Sequence, residues 1–284
     1  MREHTSFKAG GKAKALVMPK DINSLKEVLK LLDEEKIEHI FLGNGSNTLF
    51  RDKGYSGVVI KLDNSDSEFT HCDITGDTAR VGTAVLMSTF AKQVASNGLS
   101  GFEPMSGIPG SLGGACFMNA GAYGGEMKDV VVSVHAISPD GKCEKDFSNE
   151  EMEFGYRHSI LEDNGYIATS VTMKFNADDV DAILERMKEF TQKRNSKQPV
   201  QYPSAGSFFK RPTGYFAGKL IEDAGLKGLT VGGAQVSQLH SGFVINVGGA
   251  TETDITDLMH LVQNTVKDKF GVDLEPEVRI VGDK

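Results

Sequence analysis

The chain has 284 residues and a net charge of −8, from 31 Lys and Arg against 39 Asp and Glu. That length supports a large core in two or three subdomains, and that charge argues against non-specific binding to nucleic acid or to an acidic membrane. The N-terminus lacks the apolar stretch of a signal peptide, and no apolar run is long enough to span a bilayer.

An amphipathic helix is predicted from Ser24, with Leu25, Val28, Leu29 and Leu32 at helical spacing and Ser24 with Glu27 as a capping box. Strands follow at 39–42 and 58–62. A second helix over 86–96 carries Leu86, Phe90 and Val94 on one face and stops at Asn97-Gly98. Residues 130–175 alternate as strands, with Asp140-Gly141 placed as a hairpin turn. Three helices then dominate. The first carries Ile183, Leu184, Met187 and Phe190. The second carries Phe216, Leu220 and Ile221 and stops at Gly225. The third carries Ile255, Leu258, Met259, Val262 and Val266 and ends near Gly271. Strands at 229–236, 242–247 and 277–281 surround them. The expected boundary is Asn176-Ala177-Asp178-Asp179, where strand gives way to helix. It divides a glycine-rich half, 1–176, with subdomains of about 1–67 and 68–176, from a helix-and-sheet half, 177–284. A cleft between the halves is the expected place for a ligand.

The glycines carry the strongest signal. Eight of the 25 residues in 101–125 are glycine, and a second cluster, Leu42-Gly43-Asn44-Gly45-Ser46-Asn47, follows an apolar strand. Glycine is costly to order and is tolerated where backbone must approach something large. Bare N–H groups in such loops make anion sites. Turns in a β-rich domain are the competing reading of one cluster alone. Two clusters favour a phosphate-bearing cofactor. Neither fits a Rossmann fingerprint or a P-loop. Cys72, Cys116 and Cys143 form no zinc or C-x-x-C pattern and read as buried thiols in a reducing compartment, so the expected location is the cytoplasm.

Four further segments bear chemistry. Ser207, in Ala205-Gly206-Ser207-Phe208-Phe209-Lys210, does not match a nucleophile elbow, and sequence gives no reason to join it to His240 and Asp223. It reads either as a turn hydroxyl or as part of a site. Residues 205–221 contain Lys210, Arg211 and Lys219 and no acid, which reads either as a cationic site for a diphosphate or carboxylate or as a solvated loop. Arg157, beside Tyr156, suits bidentate binding of a carboxylate, or is an exposed turn residue. Glu277 and Arg279 share one face of a strand, as its polar side or as an acid and a cation presented together. Arg194 and Asn246 end a helix and a strand and are individually unremarkable.

In order and spacing these segments resemble the UDP-N-acetylenolpyruvoylglucosamine reductase (MurB) family of bacterial peptidoglycan synthesis. The likeness runs nearly end to end, through His4-Thr5-Ser6-Phe7-Lys8-Ala9-Gly10-Gly11, the 42–47 cluster, Ser106-Gly107-Ile108-Pro109-Gly110-Ser111-Leu112-Gly113-Gly114, Gly155-Tyr156-Arg157-His158-Ser159, the Ser207 segment and Pro276-Glu277-Val278-Arg279. Relatives usually carry residues ahead of the His4 segment, so a short N-terminal element is expected to be missing. The region around Tyr156 resembles the shorter subclass, without added substrate-covering loops.

The resemblance implies an α+β protein, with an FAD-binding fold of the vanillyl-alcohol oxidase and p-cresol methylhydroxylase type in 1–176 and a UDP-sugar domain in 177–284. It implies non-covalent FAD held by Gly43, Asn44, Gly45, Ser46, Asn47, Gly107, Gly110, Ser111, Gly113, Gly114 and Arg194. NADPH would be the co-substrate and UDP-N-acetylglucosamine-enolpyruvate the substrate. Arg157, Ser207 and Glu277 would be catalytic, and Tyr156, Lys210, Asn246 and Arg279 would contact substrate. No metal, nucleic acid, membrane insertion or obligate protein partner is implied. Two rivals remain at this point: a flavin oxidase of the same fold, and a non-catalytic flavin or sugar-nucleotide binder.

Overall fold

The computed structural model describes residues 1–283. By contact density the chain forms two compact units. The larger holds Ala15–Asn44 and Gly57–Gln192, and the smaller holds Met1–Lys14, Gly45–Ser56 and residues from 193 onward. This partition differs from the expected one in the N-terminal segments, and in keeping residues 177–192 with the larger unit. Residues 1–14 and 45–56 pack with the C-terminal part because Phe7, Ala9 and Leu49, all fully buried, share a core with Phe208, Val244 and Leu258.

In the larger unit a five-stranded antiparallel sheet runs in the order Glu144–Ser148, Val131–Ile137, Ile167–Lys174, Thr78–Gly82, Cys72–Thr75. The central strand, Ile167–Lys174, is buried through most of its length, consistent with a sheet covered on both faces. The helices Met87–Ser96 and Leu112–Phe117 contribute to its main core, where Phe90 and Phe102 meet edge-on at 5.0 Å. A second, three-stranded sheet has the order Ala13–Val17, Tyr55–Ile60, His39–Phe41. The helix Ile22–Glu34 packs through Leu25 and Leu29 into a core with Ile60 and Ile137. That helix starts earlier than predicted. Asp21 is its cap, accepting from the Ser24 N–H at 2.7 Å, and Ser24 returns the bond as the third helical residue.

In the smaller unit the antiparallel order is Ser204–Ser207, Phe243–Asn246, Ala234–Val236, Thr230–Val231, with the helices Ala217–Asp223 and Glu252–Phe270. The single strand expected over 229–236 is thus a hairpin. Gly232, at φ +52°, turns the chain, and the Asp254 carboxylate accepts from the Gly233 N–H at 3.1 Å. Arg279–Val281 pairs in parallel with Thr48–Phe50. Glu277 therefore precedes the regular strand rather than lying within it.

The thiols also differ from expectation: Cys116 is buried, Cys72 is half-buried and Cys143 is exposed. Leu184, placed on a helix's apolar face, is 45% exposed, while Ile183 beside it is buried. Among the described residues no helix is long and apolar enough to cross a membrane.

Candidate active site

In the larger unit the two glycine segments meet. The Asn44 side-chain amide donates to the Pro109 carbonyl at 2.7 Å. A Cβ built on Gly43 would lie 2.8 Å from Ser111 Oγ and 3.8 Å from the Gly114 nitrogen. A side chain at position 43 would displace the Ser111 hydroxyl. In the second segment the N–H groups of Ser106 and Ile108 are taken by local turns, and Leu112 donates to the Val85 carbonyl and Gly113 to that of Thr83, both at 2.9 Å. Gly113 therefore anchors the loop through its N–H. The N–H groups of Gly107, Gly110, Ser111 and Gly114 find no acceptor among the described residues, nor do those of Gly43, Asn44, Gly45 and Ser46. Open N–H groups on neighbouring glycine loops are the donor set of an anion site. Gly45 has a separate steric reason: at φ +66°, its Cβ would lie 2.1 Å from the His4 carbonyl oxygen.

Further along the same unit, Gly155 to His158 form a tight turn. The Gly155 N–H donates to the His158 carbonyl at 3.0 Å, and Tyr156 and Arg157 sit at its tip. Arg157 has φ +57°, its guanidinium lies over the Tyr156 ring at 5.1 Å, and it donates to the Gly121 carbonyl at 3.3 Å. Of six non-glycine residues at positive φ among those described, four fall in this region: Asn119, Tyr123, Glu153 and Arg157. Such strain gathers where a site over-determines its backbone.

The smaller unit assembles the other chemical groups. The Phe208 N–H donates to the Gly242 carbonyl at 2.8 Å, the Glu277 N–H to the Phe208 carbonyl at 2.9 Å, and the Lys210 N–H to the Glu275 carbonyl at 2.8 Å. Ser207, Lys210 and Glu277 are thereby tied to one patch of backbone. Phe208 and Phe209 are buried and anchor the strand, while Ser207 is exposed just after Gly206 at φ +76°. The Asn47 amide donates to the Glu277 carbonyl at 3.0 Å, and the Arg279 N–H to the Asn47 carbonyl at 3.0 Å. Asn47 thus braces the Glu277 segment. Arg279 is exposed on its strand, and Arg194 donates to Gln198 one helical turn on, at 3.1 Å.

Two readings change here. The acid-free window is not an unneutralised patch: Lys210 pairs with Glu275 at 2.5 Å, Lys219 pairs with Asp223, and the Arg211 guanidinium lies 3.9 Å from the Phe216 ring centroid. Asn246 is buried, donating to the Phe7 carbonyl at 3.0 Å and accepting from the N–H groups of Gly248 and Ala250. Its amide holds a loop. No triad forms around Ser207: His240 Nδ1 accepts from the Gly242 N–H at 3.1 Å, and burial lowers the pKa of its imidazole.

Sequence reasoning missed Asn119 and Asn47's bracing role. Asn47 bonds to Glu277 and Asn119 to Gly155, both distant in the chain, so neither role has a local sequence signal.

Open glycine loops in one unit, and in the other an exposed serine, a lysine and a glutamate on one bonded patch, are features of a class: enzymes working with a bound phosphate-bearing cofactor. Residues 13–146 match the FAD binding domain family, so the chain is an FAD-binding oxidoreductase. Residues 198–281 match the family described as UDP-N-acetylenolpyruvoylglucosamine reductase, C-terminal domain. The chain is 50% identical to the UDP-N-acetylenolpyruvoylglucosamine reductase of Alkaliphilus oremlandii (strain OhILAs), across 100% of this chain and 92% of that one. It is also 50% identical to that of Clostridioides difficile (strain 630), with the same coverage. The crystal structure of MurB from Thermus caldophilus is similar over 98% of this chain and 96% of that one, at 36% identity and a TM-score of 0.84. The chain belongs to the UDP-N-acetylenolpyruvoylglucosamine reductase family.

The donor set found above fits FAD. A diphosphate needs several N–H donors and no nearby carboxylate, and within the larger unit the open N–H groups belong to Gly43, Asn44, Gly107, Gly110, Ser111 and Gly114, none of them acidic.

Proposed function

We propose that this protein reduces the enolpyruvyl group of UDP-N-acetylglucosamine-enolpyruvate to give UDP-N-acetylmuramate, with NADPH as co-substrate, in cytoplasmic peptidoglycan precursor synthesis. Whole-length family likeness supports the reaction. The observation that carries the residue roles is the bonded patch joining Ser207, Lys210 and Glu277. Residues 1–176 are read as the FAD domain and 177–284 as the UDP-sugar domain. When bound and reduced by NADPH, FAD would supply the hydride that turns the terminal methylene of the enol ether into a methyl group.

The chain's own residues manage the charge and the proton. As the double bond is consumed, its electron pair moves toward the adjacent carbon and the carboxylate. Arg157 holds that carboxylate with a planar, permanently charged fork. Glu277 acts on the same developing enediolate as a neutral acid, donating a hydrogen bond to it. The Ser207 hydroxyl, already in position, gives its proton to the adjacent carbon and regains one from solvent. Tyr156, Lys210 and Arg279 contact the substrate, and Asn246 holds its own loop through Gly248 and Ala250. Gly43–Asn47, Gly107, Gly110, Ser111 and Gly114 hold the cofactor, with Arg194 as its cationic neighbour and Gly113 as the anchor of the second loop.

The test compares NADPH oxidation with oxygen uptake. NADPH loss that requires the enolpyruvyl nucleotide and takes up no oxygen is expected. Oxygen uptake matching NADPH or alcohol oxidation would instead place the protein among the flavin oxidases. FAD is held without a covalent bond. Burial pushes the Cys116 thiol up to about 12, so it stays protonated and is a poor tether. Acid precipitation should leave the yellow colour in the supernatant; colour in the pellet would refute non-covalent binding.

A further inference from the structure

We infer that Asn119 is a positioning residue for Arg157, an assignment that rests on the role proposed for Arg157. Asn119 is fully buried, at φ +43°, two residues past the helix Leu112–Phe117 that follows the second glycine loop. Its side-chain amide is fully used. Nδ2 donates to the Gly155 carbonyl at 2.9 Å and to Glu126 Oε2 at 2.5 Å, and Oδ1 accepts from the Lys128 N–H at 3.0 Å. The orientation is unambiguous, because a backbone carbonyl can only accept and a backbone N–H can only donate.

Gly155 opens the turn that carries Arg157, and Ser159 closes it. Ser159 is fully buried, and its hydroxyl donates to the Phe117 carbonyl at 2.7 Å. Both ends of the turn are therefore pinned to the same few residues after the glycine loop. The Arg157 guanidinium bonds to the Gly121 carbonyl, two residues past Asn119. An arginine in left-handed backbone stays there only when its surroundings hold it. The bond from Asn119 to Gly155 is the buried side-chain contact that does so at the N-terminal end. Asparagine suits the position, since it tolerates positive φ better than most residues and carries two donors and an acceptor in one plane.

Asn119→Gly tests this, because glycine accepts the backbone angle and removes only the amide. Single-turnover recovery of flavin colour by the enolpyruvyl nucleotide should slow by roughly 10²-fold, the cost of a small misplacement. Bleaching by NADPH should be nearly unchanged. Affinity of the oxidised holoenzyme for the enolpyruvyl nucleotide, by calorimetry without NADPH, should weaken as it does in Arg157→Ala. In an Arg157→Ala background, Asn119→Gly should add little to either quantity. If Asn119→Gly fails to retain FAD, Glu126→Gln carries the same test with a smaller effect, about tenfold, because it weakens only the charged partner of the amide. Normal colour recovery in Asn119→Gly, with Arg157→Ala slow, overturns the assignment. So does an Asn119→Gly effect that survives in full without the arginine. Normal recovery in Arg157→Ala itself overturns the role of Arg157 and this assignment together.

Discussion

Ser207→Ala is expected to leave bleaching of the flavin by NADPH nearly unchanged and to slow colour recovery by the enolpyruvyl nucleotide by roughly 10²–10⁴-fold. That loss corresponds to about 3–5 kcal/mol of barrier. The asymmetry follows from chemistry, since only the second step requires a proton at carbon. It also follows from placement. Ser207 is exposed on a strand whose next two residues are buried, so truncating it removes a hydroxyl without opening the core. Ser207→Cys should recover part of the rate, because a thiol also donates a proton. The two steps are resolved by stopped-flow absorbance. Equal slowing of both by alanine would make Ser207 structural.

Arg157→Lys should slow the same step strongly despite keeping the charge. A lysine cannot reproduce the bidentate fork, and it loses the planar guanidinium that lies over Tyr156. Glu277→Gln keeps the shape and the backbone N–H bond to Phe208, so its effect should again fall on colour recovery. Lines from steady-state kinetics sort the two possible causes for either variant. A raised KM with unchanged kcat would mean lost ground-state binding, and equal falls in kcat and kcat/KM a lost transition-state contact. Normal turnover in either variant removes that residue from the mechanism.

Much of this was legible in the sequence, for identifiable reasons. Glycine density exposed the two loops, because close approach, as at Gly43, and left-handed backbone, as at Gly45, both call for it. Apolar spacing located the helices well but their ends less so: Asp21 outcompeted Ser24 as a cap because its carboxylate reaches the Ser24 N–H. What escaped was long-range. Nothing near Lys210 shows that Glu275, 65 positions away, neutralises it. Nothing near Phe7 or Leu49 shows that they complete the core around Phe208. Asn246 read as an amide at a strand end, and only its buried bonds to Phe7, Gly248 and Ala250 reveal a loop-holding role. Asn119 was invisible for the same reason, since the turn it holds begins at Gly155, 36 positions on.

The central claim is that one flavin protein takes electrons from NADPH and passes them to the enolpyruvyl group. An anaerobic titration tests it most directly. Purified holoenzyme should be yellow, should bleach with one equivalent of NADPH, and should regain its full colour with one equivalent of UDP-N-acetylglucosamine-enolpyruvate in the absence of oxygen. A protein that bleaches with NADPH but recovers colour only on admission of oxygen would contradict the account.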